Sequence, residues 1–127
     1  MTKRQTMTQS LEDYLEAIYL LITEGKTAQV VDVARMLSVR MPSVVRALRE
    51  LKRLELVVQE PYSSISLTEK GRRVAYQVFD RHRLLRSFLI KLGVSRRIAD
   101  RDACLMEHIL SAETLERIRT YTGAEKQ

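Results

Sequence analysis

Apolar positions recur at helical spacing through most of the chain, and the interruptions divide it into a short series of elements. Leu11, Tyr14, Leu15, Ile18 and Ile22 fall on one stripe, which predicts a first helix from about Ser10 that closes at Glu24-Gly25-Lys26. The polar residues 1–9 before it read as a disordered arm. Residues 30–37 predict a short helix and residues 38–41 a turn. Pro42 then opens a helix to about Arg53, because the missing proline N–H would have no partner at a helix start. Val44, Leu48 and Leu51 form its inner face. Two β-favouring runs follow, Leu56-Val57-Val58-Gln59 and Ser64-Ile65-Ser66-Leu67, on either side of a proline-containing turn. A helix-turn-helix joined directly to a hairpin is a winged helix.

Thr68 is placed to cap the next helix, with Gly71 in its first turns and Val74, Val78, Leu85 and Leu89 as a buried stripe reaching about Leu92. No Gly-, Pro- or Ser-rich run interrupts this stretch, so the helix is shared by two domains, a winged domain over residues 1–73 and a helical domain over 74–127. Gly93 ends it. Ser95 caps a helix to about Leu110 whose apolar stripe is Ile98, Leu105 and Ile109, and residues 111–121 form a last helix with Leu115 and Ile118 inside. Residues 122–127 read as a frayed end. The expected fold class is mainly α, an N-terminal winged helix-turn-helix followed by an all-α domain.

Composition narrows the function. A chain of 127 residues with 45% hydrophobic content supports one or two small cores and is short for a large enzyme. No apolar run approaches the roughly 18 residues of a membrane span, and the polar start is unlike a signal peptide, so the expectation is a cytoplasmic protein without a membrane partner. One cysteine excludes an internal disulfide and is free for ligand duty in a reducing compartment. The formal charge is +6, and residues 35–53 hold six basic side chains against Glu50 alone. That concentration points to a polyanionic partner, with a merely solvated basic face as the alternative. In a winged helix the helix from Pro42 enters the major groove. Ser43 and Arg46 are then nearest the base edges, with Arg40, Arg49 and Arg53 near phosphates. The Arg46 fork suits guanine O6 and N7. The hairpin has no Lys or Arg, only Glu60, Tyr62 and serines, which leaves its phosphate contact in question.

Candidate chemistry sits near the end of the chain. Cys104, Glu107 and His108 are three and four residues apart, so a helix would project a thiol, a carboxylate and an imidazole from one face, half of a metal site. Asp13 and Glu16 lie opposite the first helix's buried stripe, where a Ser10–Asp13 capping box and a solvated Glu16 are the plainer explanation. Leu20 on the same side suggests that something packs there. His82 falls in the apolar face of the long helix, where a lone histidine is more often a core residue than a ligand.

Four stretches together carry a resemblance: Glu12-Asp13-Tyr14-Leu15-Glu16-Ala17-Ile18-Tyr19, Leu67-Thr68-Glu69-Lys70-Gly71, Arg81-His82-Arg83-Leu84-Leu85, and Asp102-Ala103-Cys104 through Glu107-His108. In this order and spacing the chain resembles the diphtheria toxin repressor family of metal-dependent transcriptional regulators, and within it the short manganese-sensor branch. The resemblance implies a homodimer on double-stranded DNA with a palindromic operator, and a second domain that dimerises. It also implies a metal site built from Asp13, Glu16, His82, Cys104, Glu107 and His108, with Mn(II) or Fe(II) as co-repressor of metal-uptake genes and as many as two ions per subunit. Two departures matter. The manganese branch has aspartate at position 13 and glutamate at 104, whereas the iron branch has methionine and cysteine, so this chain takes one from each. Hard oxygen donors favour Mn(II) or Fe(II), and a thiolate shifts preference towards Fe(II), Co(II), Ni(II) or Zn(II). Arg86 and Asp100 replace a glutamate and a histidine of the iron branch's second site, while Glu16 and His82 match the paired-metal arrangement of the manganese branch. The sequence also stops short of the SH3-like domain of longer members.

In the expected mechanism Asp13, Glu16 and Glu107 repel one another without metal, and a divalent cation cancels that repulsion and sets both recognition helices of the dimer at half-site spacing. Metal and DNA then raise each other's affinity. Two other classes stand beside this one. A metal-independent winged-helix regulator sensing a small organic ligand would take up no stoichiometric metal. A metalloenzyme is disfavoured by the small size, the saturated ligand set without a spare general base, and the absence of a pocket motif.

Overall fold

A computed structural model describes residues 7–123. The fold is mainly α, in the order α1 (Gln9–Thr23), α2 (Val30–Leu37), α3 (Met41–Arg53), β1 (Val57–Val58), β2 (Ser66–Leu67), α4 (Glu69–Lys91), α5 (Arg96–Met106) and α6 (Ala112–Thr122). Contacts divide the chain into two compact units, Met1–Tyr76 and Gln77–Gln127, with the break inside α4. The expected arm lies partly outside the described residues, as does most of the frayed end. Within residues 7–9 the expectation needs correcting, since Thr8 caps α1 and Gln9 begins it.

The first unit is a winged helix-turn-helix. The Thr8 hydroxyl accepts from the Leu11 N–H at 3.1 Å, so it caps α1 in place of the expected Ser10–Asp13 box. Gly25, at φ +81°, turns the chain away after α1. α2 ends on Ser38 in the left-handed region, and Arg40 is the N-cap of α3. Pro42 is therefore the second residue of α3 and not the first. It is tolerated because the opening N–H groups of a helix lack intrahelical acceptors. α1, α2 and α3 pack on one another, with β1 against α3 and β2 against α1. Leu15, Ile18, Val33, Val44, Leu51 and Ile65 are fully buried there. Each large side chain among them contributes roughly 1.5–3 kcal/mol relative to exposure.

The wing is a two-stranded antiparallel sheet with Val57 opposite Leu67 and Val58 opposite Ser66. Its base is tied to the core by the Ile65 N–H donating to the Ala28 carbonyl at 2.7 Å. At its exit the Thr68 hydroxyl donates to the Glu55 carbonyl at 2.7 Å and accepts from the Gly71 N–H at 2.9 Å, which caps α4. A Cβ on Gly71 would be driven into the Leu56 carbonyl, so only glycine lets α4 start this close to the strand.

In the second unit Val78, Leu84, Leu85, Ala99 and Ala103 are buried. Asp80 accepts from Arg83 at 2.9 Å and from Arg119 at 2.8 Å, and Phe88 meets Tyr121 edge to face, so α6 is joined to α4 by polar and aromatic contacts. The Ser95 and Ser111 hydroxyls cap α5 and α6. Here the sequence expectation fails in two linked ways. α5 stops at Met106, short of Leu110, and Leu105 and Ile109 point outward at 54% and 77% exposure. The inward residues are Ala99, Ala103 and Glu107, spaced four apart. The early stop has a local cause. Ser111 must be extended to cap α6, so the chain tightens after Met106, with His108 N–H bonding the Leu105 carbonyl and Ile109 N–H the Met106 carbonyl.

Candidate metal centre and nucleic-acid interface

Glu107 is the most buried donor of the candidate metal centre in the second unit. It is the C-cap of α5 and only 1% exposed, an expensive place for a carboxylate unless a positive group compensates it. Its two oxygens face two imidazoles. Oε1 lies 3.5 Å from His82 Nδ1, and Oε2 lies 3.8 Å from His108 Nε2. His82 comes from the middle of α4 and His108 from the tightened turn after α5. Two imidazole nitrogens and a carboxylate converging in a buried place are the donor types that divalent transition ions take, so the residues present fit such an ion.

Not every expected ligand joins them. Cys104 is half-buried on α5, one turn before His108. Among the described residues, neither Cys104 nor Asp13 belongs to a group of three donors within reach of one ion. Asp13 and Glu16 are half-buried on α1 in the first unit. Sequence reasoning passed over Glu12, which is 3% exposed and the acidic residue in α1's first turn. Its position one turn before Glu16 was the signal available, since carboxylates four apart share a helix face.

The helix-turn-helix presents a different surface. Arg40, Pro42, Arg46, Arg49, Lys52 and Arg53 are exposed along α3 while Val44, Ala47, Leu48 and Leu51 are buried. Arg46 Nη2 lies 3.4 Å from Ser43 Oγ, so the two expected base-reading residues sit together on the first turns. Arg53 donates Nε–H to Glu50 at 3.1 Å, with its Nη2 on the same oxygen. That hydrogen bond holds the Glu50 carboxyl below its ordinary range and pushes the Arg53 guanidinium up. Arg53, expected at a phosphate, is thus engaged within its own helix. At the wing tip, Tyr62 is fully exposed with φ +64°, and no cation lies between residues 56 and 67.

Comparison with known proteins agrees with both halves. Residues 6–65 match the family described as iron dependent repressor, N-terminal DNA binding domain. Residues 68–127 match iron dependent repressor, metal binding and dimerisation domain. An uncharacterized HTH-type transcriptional regulator of Methanocaldococcus jannaschii is 40% identical over 117 residues, covering 91% of this chain and 94% of its own. The HTH-type transcriptional regulator MntR of Geobacillus kaustophilus is 42% identical over 111 residues, 87% of this chain and 79% of its own. Among solved structures, the manganese regulator SloR superposes with a TM-score of 0.82 at 29% identity over 94% of this chain. The chain spans 56% of that longer protein.

Proposed function

The chain belongs to the iron-dependent repressor family of metal-dependent, DNA-binding transcriptional regulators, and on that premise we propose that Mn(II) or Fe(II) is its co-repressor. The proposed ligands are Asp13, Glu16, His82, Cys104, Glu107 and His108, with as many as two ions per subunit. The observation that carries the reading is Glu107, a buried carboxylate with an imidazole nitrogen facing each oxygen. A bound divalent ion supplies the positive charge that lets several carboxylates share one place. Glu107 and the two histidines provide the buried half of the set, and Asp13 and Glu16 bring the α1 carboxylates, so that ion binding biases the position of the winged unit. Glu12, the most buried acid of α1, is a further candidate donor.

Two copies act together in this proposal. Leu105 and Ile109 are exposed apolar residues on the unit that matches a dimerisation domain, and they are the surface proposed to meet the second copy. The dimer places two α3 helices on a palindromic operator, where Ser43 and Arg46 read bases and Arg40, Arg49 and Arg53 hold phosphates, with Pro42 setting the start of the helix. Metal-uptake genes are the proposed targets.

The test is selection of binding sites from a randomised duplex pool, done anaerobically with and without Mn(II) or Fe(II). Selected sites that bind more tightly with the ion support the co-repressor role, and equal affinity overturns it. The metal-independent alternative would place an organic ligand in the groove of about 590 Å³ lined by Phe88, Leu92, Ile118 and Tyr121. Stoichiometric metal in the purified protein separates the two readings.

A further inference from the structure

His82 has each ring nitrogen turned to a different carboxylate. Nε2 lies 3.0 Å from Asp100 Oδ1 on α5, and Nδ1 lies 3.5 Å from Glu107 Oε1. A carboxylate only accepts hydrogen bonds, so the 3.0 Å contact requires the proton on Nε2. In the neutral ring Nδ1 then carries a lone pair directed at the buried Glu107 oxygen. Asp100 has a second neighbour. Arg86, one turn after His82 on α4, has Nε 3.5 Å from the same Oδ1. The Asp100 carboxylate is therefore shared by an imidazole and a guanidinium, although its side chain is 62% exposed.

We propose that Asp100 is a positioning residue that fixes His82 in the Nε2–H tautomer and so presents Nδ1 to the divalent ion, while Arg86 occupies the side of Asp100 where a second cation would have to approach. The inference rests on the metal-site reading above and deepens it. A carboxylate behind a ligating imidazole sets ring orientation and raises the basicity of the ligating nitrogen. Arg86 makes that carboxylate a poor ligand in its own right, because a bound cation would meet a fixed positive charge beside it. Asp100 thus acts through His82 and not on the ion.

The ring ¹⁵N shifts of metal-free protein, recorded at a pH high enough that they no longer change and the ring is neutral, read the tautomer directly. The chain has two histidines, so a His108→Ala variant assigns the signals. The parent is expected to show Nε2–H at His82, Asp100→Ala a mixture of tautomers, and Asp100→Asn the parent pattern, since its amide oxygen still accepts. In Mn(II) titrations Asp100→Ala should bind about 10–100-fold more weakly, with Asp100→Asn between it and the parent. A parent His82 protonated mainly on Nδ1 overturns the proposal, as does an Asp100→Ala variant with unchanged tautomer or unchanged affinity. A parent that shows the expected tautomer yet takes up no Mn(II) overturns the metal-site reading itself, and the positioning role falls with it.

Discussion

α3 and α5 are built from the same kinds of residue and turned opposite ways. In α3 the apolar side chains Val44, Leu48 and Leu51 are buried and the arginines face water. At the end of α5 the carboxylate of Glu107 is buried while Leu105 and Ile109 face outward. Exposed cations keep their hydration and act on a polyanion arriving through solvent, at modest cost. A buried carboxylate has lost its hydration and needs a compensating cation at short range, and an exposed apolar pair gains by being covered. On the proposed reading α3 is therefore the surface for DNA, and α5 takes an ion on its inner side and a protein on its outer side.

The outward side of α5 gives the largest expected effect. Ile109→Glu places a charge in the proposed dimer contact, so sedimentation should show monomers. Operator affinity should fall by about 10²–10⁴-fold, because two linked half-site contacts become one. A variant that remains dimeric would move the contact to another face. The inner side comes next. Glu107→Gln keeps the shape and removes the charge, and should abolish the metal-dependent gain in operator affinity, a factor of about 5–150 in coupled systems of this kind. Unchanged helical circular dichroism would show that the fold survives. Cys104→Ala should lower the same gain only in part and shift preference towards harder ions. A full metal response in Glu107→Gln would break the comparison, because the buried carboxylate would then have no cation to meet.

These two sides also mark where the sequence was legible. The limits of α2 and the place of the wing hairpin followed from periodicity and turn residues, as did the inward face of α3, because each is decided by local chemistry. α5 was misread because Leu105 and Ile109, four residues apart, look the same whether their own core covers them or a second chain does. Only the fold shows that Ala99 and Ala103 fill the inner positions, small enough to let Glu107 come in behind them. Cys104, Glu107 and His108 were visible as a cluster, yet their division was not. The turn after Met106 separates two buried donors from a half-buried thiol, and its cause is the cap of the following helix. Glu12 was missed because the face opposite the stripe drew attention to Asp13.

On the DNA side, Arg46→Ala should cost about 1–3 kcal/mol and relax preference at one base position if the guanidinium reads a guanine. The ratio of affinities with and without metal should stay as in the parent, which separates this helix from α5. Affinities for single-base variants of a selected site, measured with and without ion, check both points. Loss of affinity that is uniform over all bases would assign Arg46 to phosphate contact instead.

The smallest effect concerns Arg53, where an exposed ion pair competes with DNA. Glu50 takes a hydrogen bond from Arg53 that lowers its own proton affinity in the folded chain. A carboxyl with a lowered folded pKa stabilises the fold above its unfolded pKa, and the contribution is lost as pH falls through the lowered value. Both partners are exposed, so Glu50→Gln should leave the melting temperature unchanged within error. Its effect belongs to binding. With the carboxylate gone, Arg53 is free to meet a phosphate, and the slope of log affinity against log salt should steepen by about one. Acidification through the lowered Glu50 range should bring the parent's slope towards that of the variant. An unchanged slope would remove Arg53 from the phosphate contacts and leave Arg40 and Arg49 to hold the backbone.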